Sequence, residues 1–498
     1  MKHVALSSEV AKIDALSQTE FFLPALSLME SAAMGVWAEV QGRIPSKDAS
    51  LVFLCGGGNN GGDGLAVARL AYNSGFRRVK CILPAKRFSP SCERQKEIIK
   101  AYGIDLISLD ETIAQEASEA IAEADFLFDA LAGIGLHGPL GGLALLLVEL
   151  VNTRAAYKVA IDIPSGLGDG VSCSSVHFKA DLTVTFGLDK VAMFHPSTRA
   201  ECGEIVVKNP SFPPQLLKAA PVMAQVCTFS DITLQKLSPS SYKNKRGHLA
   251  IVGGSKAYPG AARLSARSAF ASRAGLVTLF CDEDVYPIAA GETPSVIVRI
   301  LGSVEQLSAF DTILVGPGWG TGRSSLLKEI LLLGKKVVLD ADGIAAFAAL
   351  LKEHKEIEHG PLVITPHLGE LKSLATALYG ETLEDTPLAF FSLIQDISDR
   401  LDATLVVKSS LVHIASPGST IIKVVEGLNP SLGVAGSGDV LCAVIAALVA
   451  GGMGLQEASL IGTLLHQKAG SVARAKYGYY DSETLVEILG QVVMERER

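Results

Sequence analysis

Aromatic side chains are scarce in this sequence: they make up 6% of 498 residues, and only two are tryptophan. With 48 glycines present, that scarcity argues against an all-β sandwich and for helices packed closely on sheets. Cysteines are few and scattered. The eight, at 55, 81, 92, 173, 202, 227, 281 and 442, form no Cys-x-x-Cys pair and have no close histidine partner in the sequence. That spacing excludes a zinc cage or a disulfide framework and leaves buried, reduced thiols. Basic clusters are missing as well, and the net charge of −8 excludes a broad nucleic-acid-binding face. Residues 1–10 carry no apolar signal core, Leu143–Val148 is cut by Glu149, and Val440–Met453 is too short for a bilayer. The expectation is a soluble, cytoplasmic protein with neither membrane nor nucleic acid among its partners.

What is present is a well-packed composition, 48% hydrophobic and 19% charged, in a chain too long for one core of ordinary size. Short apolar runs alternate with helix-like stretches, which predicts an α/β fold with largely parallel sheets. Strands are expected at Leu51–Cys55, Val79–Leu83, Phe126–Asp129, Val159–Ile163 and Thr183–Phe186. In the second half they are expected at His248–Val252, Leu276–Phe280, Thr312–Val315, Lys336–Leu339, Leu362–Thr365 and Thr404–Val407. Between the halves lie Asn209-Pro210-Ser211-Phe212-Pro213-Pro214 and Pro221, a cluster unsuited to helix interiors or central strands. The cut falls near residue 220, giving domains 1–220 and 221–498.

Two glycine-and-aspartate loops carry the chemistry. The first, Gly56-Gly57-Gly58-Asn59-Asn60-Gly61-Gly62-Asp63-Gly64, joins an apolar strand to a helix that reads from Leu65. Strand, glycine loop and helix is the dinucleotide-binding layout. The acid that would hold a ribose after the next strand is missing, since Val79–Leu83 runs into Pro84-Ala85-Lys86-Arg87. An ordinary dehydrogenase is therefore disfavoured. Asp129 and Asp162 end two further strands, and Gly133-Ile134-Gly135-Leu136-His137-Gly138-Pro139 forms a second flexible loop. Ligands of open α/β sheets bind beyond the carboxyl ends of strands, so these segments converge on one crevice.

In this order, Leu28-Met29-Glu30-Ser31-Ala32, the glycine loop, Asp129-Ala130-Leu131 and Asp162-Ile163-Pro164-Ser165-Gly166 resemble the NAD(P)HX epimerase domain over about the first 210 residues. The resemblance implies a Rossmann-like three-layer domain that interconverts R and S hydrates of NADH or NADPH. It also implies a potassium ion held by Asn60, Asp129 and Ser165. The substrate would lie along Asn59, Asn60, Gly61, Gly62 and Asp63, along Gly133 to Pro139 (with Ile134, Gly135, Leu136, His137 and Gly138), and at Asp162. Epimerising a carbinolamine carbon needs proton transfers at the hydroxyl and the ring nitrogen, which paired carboxylates can supply. Asp129 is the first choice for that work and Asp162 the second.

The second loop, Gly433-Val434-Ala435-Gly436-Ser437-Gly438-Asp439, leads into an apolar helix expected from Cys442 to Ala450. Backbone amides of Gly436 to Gly438 would form an anion hole, with Asp439 beside it as general base for a hydroxyl attacking a phosphoryl group. Gly253-Gly254-Ser255, Tyr258-Pro259-Gly260-Ala261-Ala262, Gly316-Pro317-Gly318-Trp319-Gly320, Asp340-Ala341-Asp342 and Pro366-His367-Leu368-Gly369-Glu370 also follow strands or open helices. Over about residues 240–490 this set resembles the ribokinase-like superfamily and, within it, the NAD(P)HX dehydratase. That implies a ribokinase-like three-layer domain in which ADP or ATP, with Mg2+, phosphorylates the hydrate hydroxyl before phosphate leaves. Asp439 would be the base; Lys408, Ser409, Ser410, Leu411, Val412 and Gly438 would line ADP; Ala262, Gly320, His367 and Asp439 would meet the hydrate. Departures from the usual pattern are Lys408-Ser409-Ser410, Gly343-Ile344-Ala345 after Asp342, and Glu292-Thr293-Pro294. A homo-oligomer is implied by the same resemblance. The competing readings are a small-alcohol or vitamin-precursor kinase with an accessory N-terminal domain, and an RNA-associated scaffold. Fusion of the two domains favours repair, because one half would make the epimer that the other consumes.

Overall fold

A computed structural model describes residues 1–292, 294–354, 356–380 and 384–497. Thr293, within the departure noted at Glu292-Thr293-Pro294, lies outside them. The chain divides into two compact units, Lys2–Ala224 with Glu384–Phe391, and Gln225–Leu383 with Ser392–Arg498. Ala224–Cys227 is a strand, so the division falls a few residues after the proline cluster.

In the N-terminal unit seven strands form one parallel sheet in the order Asp105–Ser108, Val79–Leu83, Leu51–Cys55, Phe126–Ala130, Tyr157–Ile161, Leu182–Phe186, Glu204–Lys208. Alternate residues of each strand enter separate cores. Phe53, Cys55 and Phe128 pack under the helices Ala25–Val40 and Asn59–Asn73, whereas Val52, Leu54 and Leu127 pack with Gln115–Ala122 and Gly142–Asn152. Burial on both faces is why these strands read as unbroken apolar runs. The strand order reverses between Leu51–Cys55 and Phe126–Ala130, which opens the crevice where the first glycine loop sits.

The C-terminal unit repeats this three-layer logic with strands ordered Ile297–Ile300, Leu276–Cys281, His248–Val252, Thr312–Val315, Lys336–Leu339, Leu362–Ile364, Ala403–Val407, Leu411–Ala415, Ile422–Glu426. The pairing is parallel up to Ala403–Val407 and then turns antiparallel. One face is covered by the helices Pro259–Ala271, Ser437–Ala450, Leu455–Tyr477 and Ser482–Met494. Among the described residues no helix is long and apolar enough to cross a membrane.

Three departures from the sequence reading matter. The strand expected to reach Ile163 stops at Ile161, because Asp162 takes a left-handed φ of 71°. Both glycine loops are already helical: one helix starts at Asn59 rather than Leu65 and the other at Ser437 rather than Cys442. Folding also brings Cys173, His195 and Asp385 within 4.8 Å of one another, an association that linear spacing hid. Gly61 in the first loop is there for packing, since a Cβ on it would lie 1.9 Å from the carbonyl oxygen of Gly56. A Cβ on Gly58 would meet nothing within 4 Å. Gly61→Ala is therefore expected to destabilise the N-terminal unit by about 1–3 kcal/mol, and Gly58→Ala to leave it nearly unchanged, as read by urea unfolding.

Candidate functional site

The first glycine helix opens onto a cavity of about 470 Å³. Its polar lining comes from Asn59, Asn60, Asp63 and Asp162, joined by Asp14 and Gln18 of the first helix and by Ser91; Leu28, Met29, Phe186 and Phe212 supply apolar wall. Of the second loop, Gly133, Ile134, Gly135 and Leu136 reach the cavity. His137, Gly138 and Pro139 are not among its lining residues, nor are Gly61 and Gly62; a Cβ on Gly62 would press on Met29.

Asp162 is held by a buried lysine that sequence reading missed. Lys190 has no exposure and sits directly before the buried apolar run 191–194. Its Nζ donates to Asp162 Oδ1 at 2.6 Å, Thr185 Oγ1 at 2.5 Å and the Phe186 carbonyl at 2.9 Å, so all three protons are committed. Asp162 Oδ1 also accepts from Thr185 Oγ1 (3.3 Å) and Phe186 N (3.4 Å). Oδ2 faces Gly133, 3.4 Å from where a Cβ would be. One carboxylate oxygen is anchored and the other is turned to the cavity loop. Asp63 differs: burial, then the charges of Asp162 and Asp14, push its carboxyl well above the ordinary range. Asp14 is raised too, by burial first, although a bond from Gln18 opposes it.

Asp129 does not line this cavity. It has no exposure; Oδ2 accepts from Ser165 N (2.7 Å), and Oδ1 from Ser165 Oγ (2.6 Å) and Leu131 N (3.2 Å). Burial pushes its carboxyl up to about 6 despite those bonds. Nearby, both amide atoms of Asn60 are buried without a hydrogen-bond partner. An orphaned amide oxygen, a buried carboxylate without a basic partner among the described residues, and the Ser165 hydroxyl form an all-oxygen donor set. Such a set fits a hard cation.

The second site gathers at the start of the helix Ser437–Ala450, whose N-cap Gly436 has a φ of 88°. Asp439 lies in its first turn, and burial, then Asp340, push its carboxyl up to about 7 against the pull of Lys408. Lys408 Nζ bonds Asp340 Oδ1 and lies 3.4 Å from the position of a Cβ on Gly438. Burial pulls the Lys408 ammonium down, but Asp340 and Glu370 outweigh that and leave it above the ordinary lysine range. Gly320 N donates to Asp342 Oδ2 at 2.7 Å, and Ala262 is fully buried against Gly253 and Gly254. His367 caps the helix Leu368–Tyr379, its Nδ1 accepting from Gly369 N and Glu370 N. Ser409 and Ser410 precede the strand Leu411–Ala415. Leu411 and Val412, also expected to line a nucleotide, have their side chains buried in the sheet, at 0% and 2% exposure, so that only their backbone could face a ligand.

Removing one partner of a buried ion pair strands the other. Lys190→Met should therefore cost the N-terminal unit roughly 3–5 kcal/mol in urea unfolding, and adding Asp162→Asn should recover part of that loss.

Residues 25–192 match the family model described as YjeF-related protein N-terminus, and residues 249–491 match that of NAD(P)H-hydrate dehydratase. The bifunctional NAD(P)H-hydrate repair enzyme of Thermofilum pendens is 31% identical over 497 residues, covering 95% of this chain and 93% of that protein. Its counterpart in Moorella thermoacetica is 30% identical, covering 96% and 93%. The crystal structure of the ADP/ATP-dependent NAD(P)H-hydrate dehydratase of Bacillus subtilis superimposes with a TM-score of 0.47 at 22% identity, over 54% of this chain and 98% of that one. Two glycine-built sites in one chain and relatives matched along nearly their whole length lead to one assignment: the chain belongs to the family of bifunctional NAD(P)H-hydrate repair enzymes.

Proposed function

We propose that the N-terminal unit interconverts the R and S epimers of hydrated NADH and NADPH, and that the C-terminal unit uses ADP or ATP to return the S hydrate to NAD(P)H. The observation that carries this reading is that each unit sets an aspartate raised above the ordinary carboxylate range in the first turns of a helix opened by glycine. These are Asp63 in Asn59–Asn73 and Asp439 in Ser437–Ala450.

In the first unit the proton-transfer work moves from Asp129 to Asp162 and Asp63. Asp162 Oδ2 accepts the proton of the C6 hydroxyl while Oδ1 stays bound to Lys190. Asp63, whose carboxyl burial raises well above the ordinary range, supplies a proton to the ring nitrogen. The C6–N1 bond breaks as the aldehyde forms, and closure on the other face returns both protons. Asn60, Asp129 and Ser165 would hold a potassium ion, which supplies positive charge beside the otherwise uncompensated Asp129.

In the second unit Asp439 takes the proton of the hydrate hydroxyl as its oxygen bonds to the terminal phosphorus of the nucleotide. The bond from that phosphorus to the bridging oxygen breaks, and its electron pair leaves with the nucleotide. Lys408 and the amides at Gly438 receive the phosphoryl charge, and a Mg2+ accompanying the nucleotide would share it. Phosphate then departs from C6 with its electron pair and a C5 proton is lost, which restores the reduced nicotinamide. Hydroxide is a poor leaving group and phosphate a good one. Ser409 and Ser410 contribute to the nucleotide side, and Ala262, Gly320 and His367 to the hydrate side.

The measurement is recovery of reduced-nicotinamide absorbance from mixed hydrate with ADP. Asp439→Asn should lower dehydration of the S hydrate by about 10²–10⁴-fold while leaving epimerisation intact. Asp162→Asn should do the reverse, so that only the S half of a mixture is recovered at the enzymatic rate. Because the base works deprotonated, kcat/KM for dehydration should rise with pH through about 7 and level off above it. Full activity of either variant in its own half-reaction would refute the corresponding site.

A further inference from the structure

The strands Lys336–Leu339 and Leu362–Ile364 pair in parallel, and each is followed by a polar residue, Asp340 and Thr365. Asp340 is 2% exposed. Its Oδ1 accepts from Thr365 Oγ1 at 2.8 Å and from the Lys408 ammonium. Its Oδ2 lies 3.9 Å from the position a Cβ on Gly438 would occupy, and Lys408 Nζ 3.4 Å from that same position. The Cys442 thiol, one turn along the helix, donates to the Asp439 carbonyl at 3.3 Å. A carboxylate and an ammonium are thus packed together under the second residue of the helix Ser437–Ala450, next to Asp439.

We propose that Asp340 is a positioning residue for phosphoryl transfer: it fixes the Lys408 ammonium beside the Gly436–Gly438 helix start and keeps a negative charge next to Asp439. The proposal rests on the reading of Asp439 as the base. A lysine carries a point charge on a flexible four-carbon stem, so it meets a phosphoryl group in one geometry only if something holds the head group. Asp340 does this from the protein side while leaving the Gly438 side of Nζ turned toward the anion hole. The same carboxylate acts on the base directly, because a like charge close by disfavours ionisation of Asp439 and makes it a stronger proton acceptor.

The groups that act on Asp439 are few. Asp340 and Asp342 come from the end of Lys336–Leu339, Lys408 from the end of Ala403–Val407, and the Cys442 thiol from the same helix. Glu370, on the helix Leu368–Tyr379, acts on Lys408. From the helix Pro259–Ala271 comes the Ser265 hydroxyl, which donates to the Asp439 carbonyl. His466, on Leu455–Tyr477, bonds Ser437 and is pushed down to about 4 by burial, so it stays neutral through the working range. Lys408 is the one cation in this set, and Asp340 is the acid bonded to it.

The test is the pH profile of dehydration in the full-length protein, with S hydrate and ADP, for wild type and Asp340→Asn. Asparagine keeps an oxygen for Thr365 and Lys408 and removes only the charge. The rise of kcat/KM that follows Asp439 should move to lower pH by about one unit or more. A variant slowed by the same factor at every pH, with the rise unmoved, would overturn the proposal and leave Asp340 a packing residue. Should Asp340→Asn fail to fold, Asp340→Ser, smaller and uncharged, is read in the same way. Asp439→Asn separates the two levels of argument: if it dehydrates normally, the base assignment falls and this proposal with it, whereas an inactive Asp439→Asn beside an unmoved Asp340→Asn profile overturns the positioning role alone.

Discussion

Lys190 gives each of its three ammonium protons to a protein oxygen in a pocket closed to water, and the N-terminal site is organised around that arrangement. Burying an ammonium is tolerable only with such complete satisfaction. Because Asp162 Oδ1 is one of the three acceptors, the carboxylate is fixed in place, and its other oxygen is the one available at the cavity loop. The left-handed backbone at Asp162 belongs to the same arrangement, since it ends the strand and turns the side chain toward Lys190. Strain of this kind persists where surrounding bonds over-determine it.

The C-terminal unit uses the same device with a different balance. Lys408 and Asp340 pair as Lys190 and Asp162 do, but here the working carboxylate is a third group, Asp439, which shares the lysine's field without bonding it. A carboxylate bound directly to its lysine is held in one orientation, with one oxygen left free. One set beside an ion pair, in a buried position, is tuned toward neutrality and becomes a stronger base. Both units sit at the carboxyl ends of parallel strands, where the sheet supplies rigid positions and the glycine-opened helices supply bare amides.

Much of this was legible in the sequence because parallel strands are buried on both faces and read as continuous apolar runs. Leu51–Cys55, Val79–Leu83, His248–Val252, Thr312–Val315 and Lys336–Leu339 form with the expected bounds. Ile297–Ile300 was missed because it is an edge strand, largely exposed, and Glu204–Lys208 because it is another edge of mixed composition. Aspartates and glycines at strand ends were visible; their partners were not. Lys190 reaches Asp162 across 28 positions and Lys408 reaches Asp340 across 68, so no local spacing marks either pair. A lysine directly before the apolar run 191–194 was the available clue to the first. Asp129 shows what sequence leaves out in another way: a strand-end aspartate was visible, but its complete burial and its bonds from Ser165 and Leu131 were not.

The short segment Glu384–Phe391 lies far along the chain yet belongs to the N-terminal unit, where Leu388 N donates to the Asp169 carbonyl and Cys173 N to the Asp385 carbonyl. No single cut in the polypeptide therefore separates the two catalytic halves. A gene split near the proline cluster would yield a first fragment lacking eight of its own residues and a second fragment carrying them as a foreign insert. A cut at that point would leave the Asp169 carbonyl and the Cys173 amide without their backbone partners at Leu388 and Asp385.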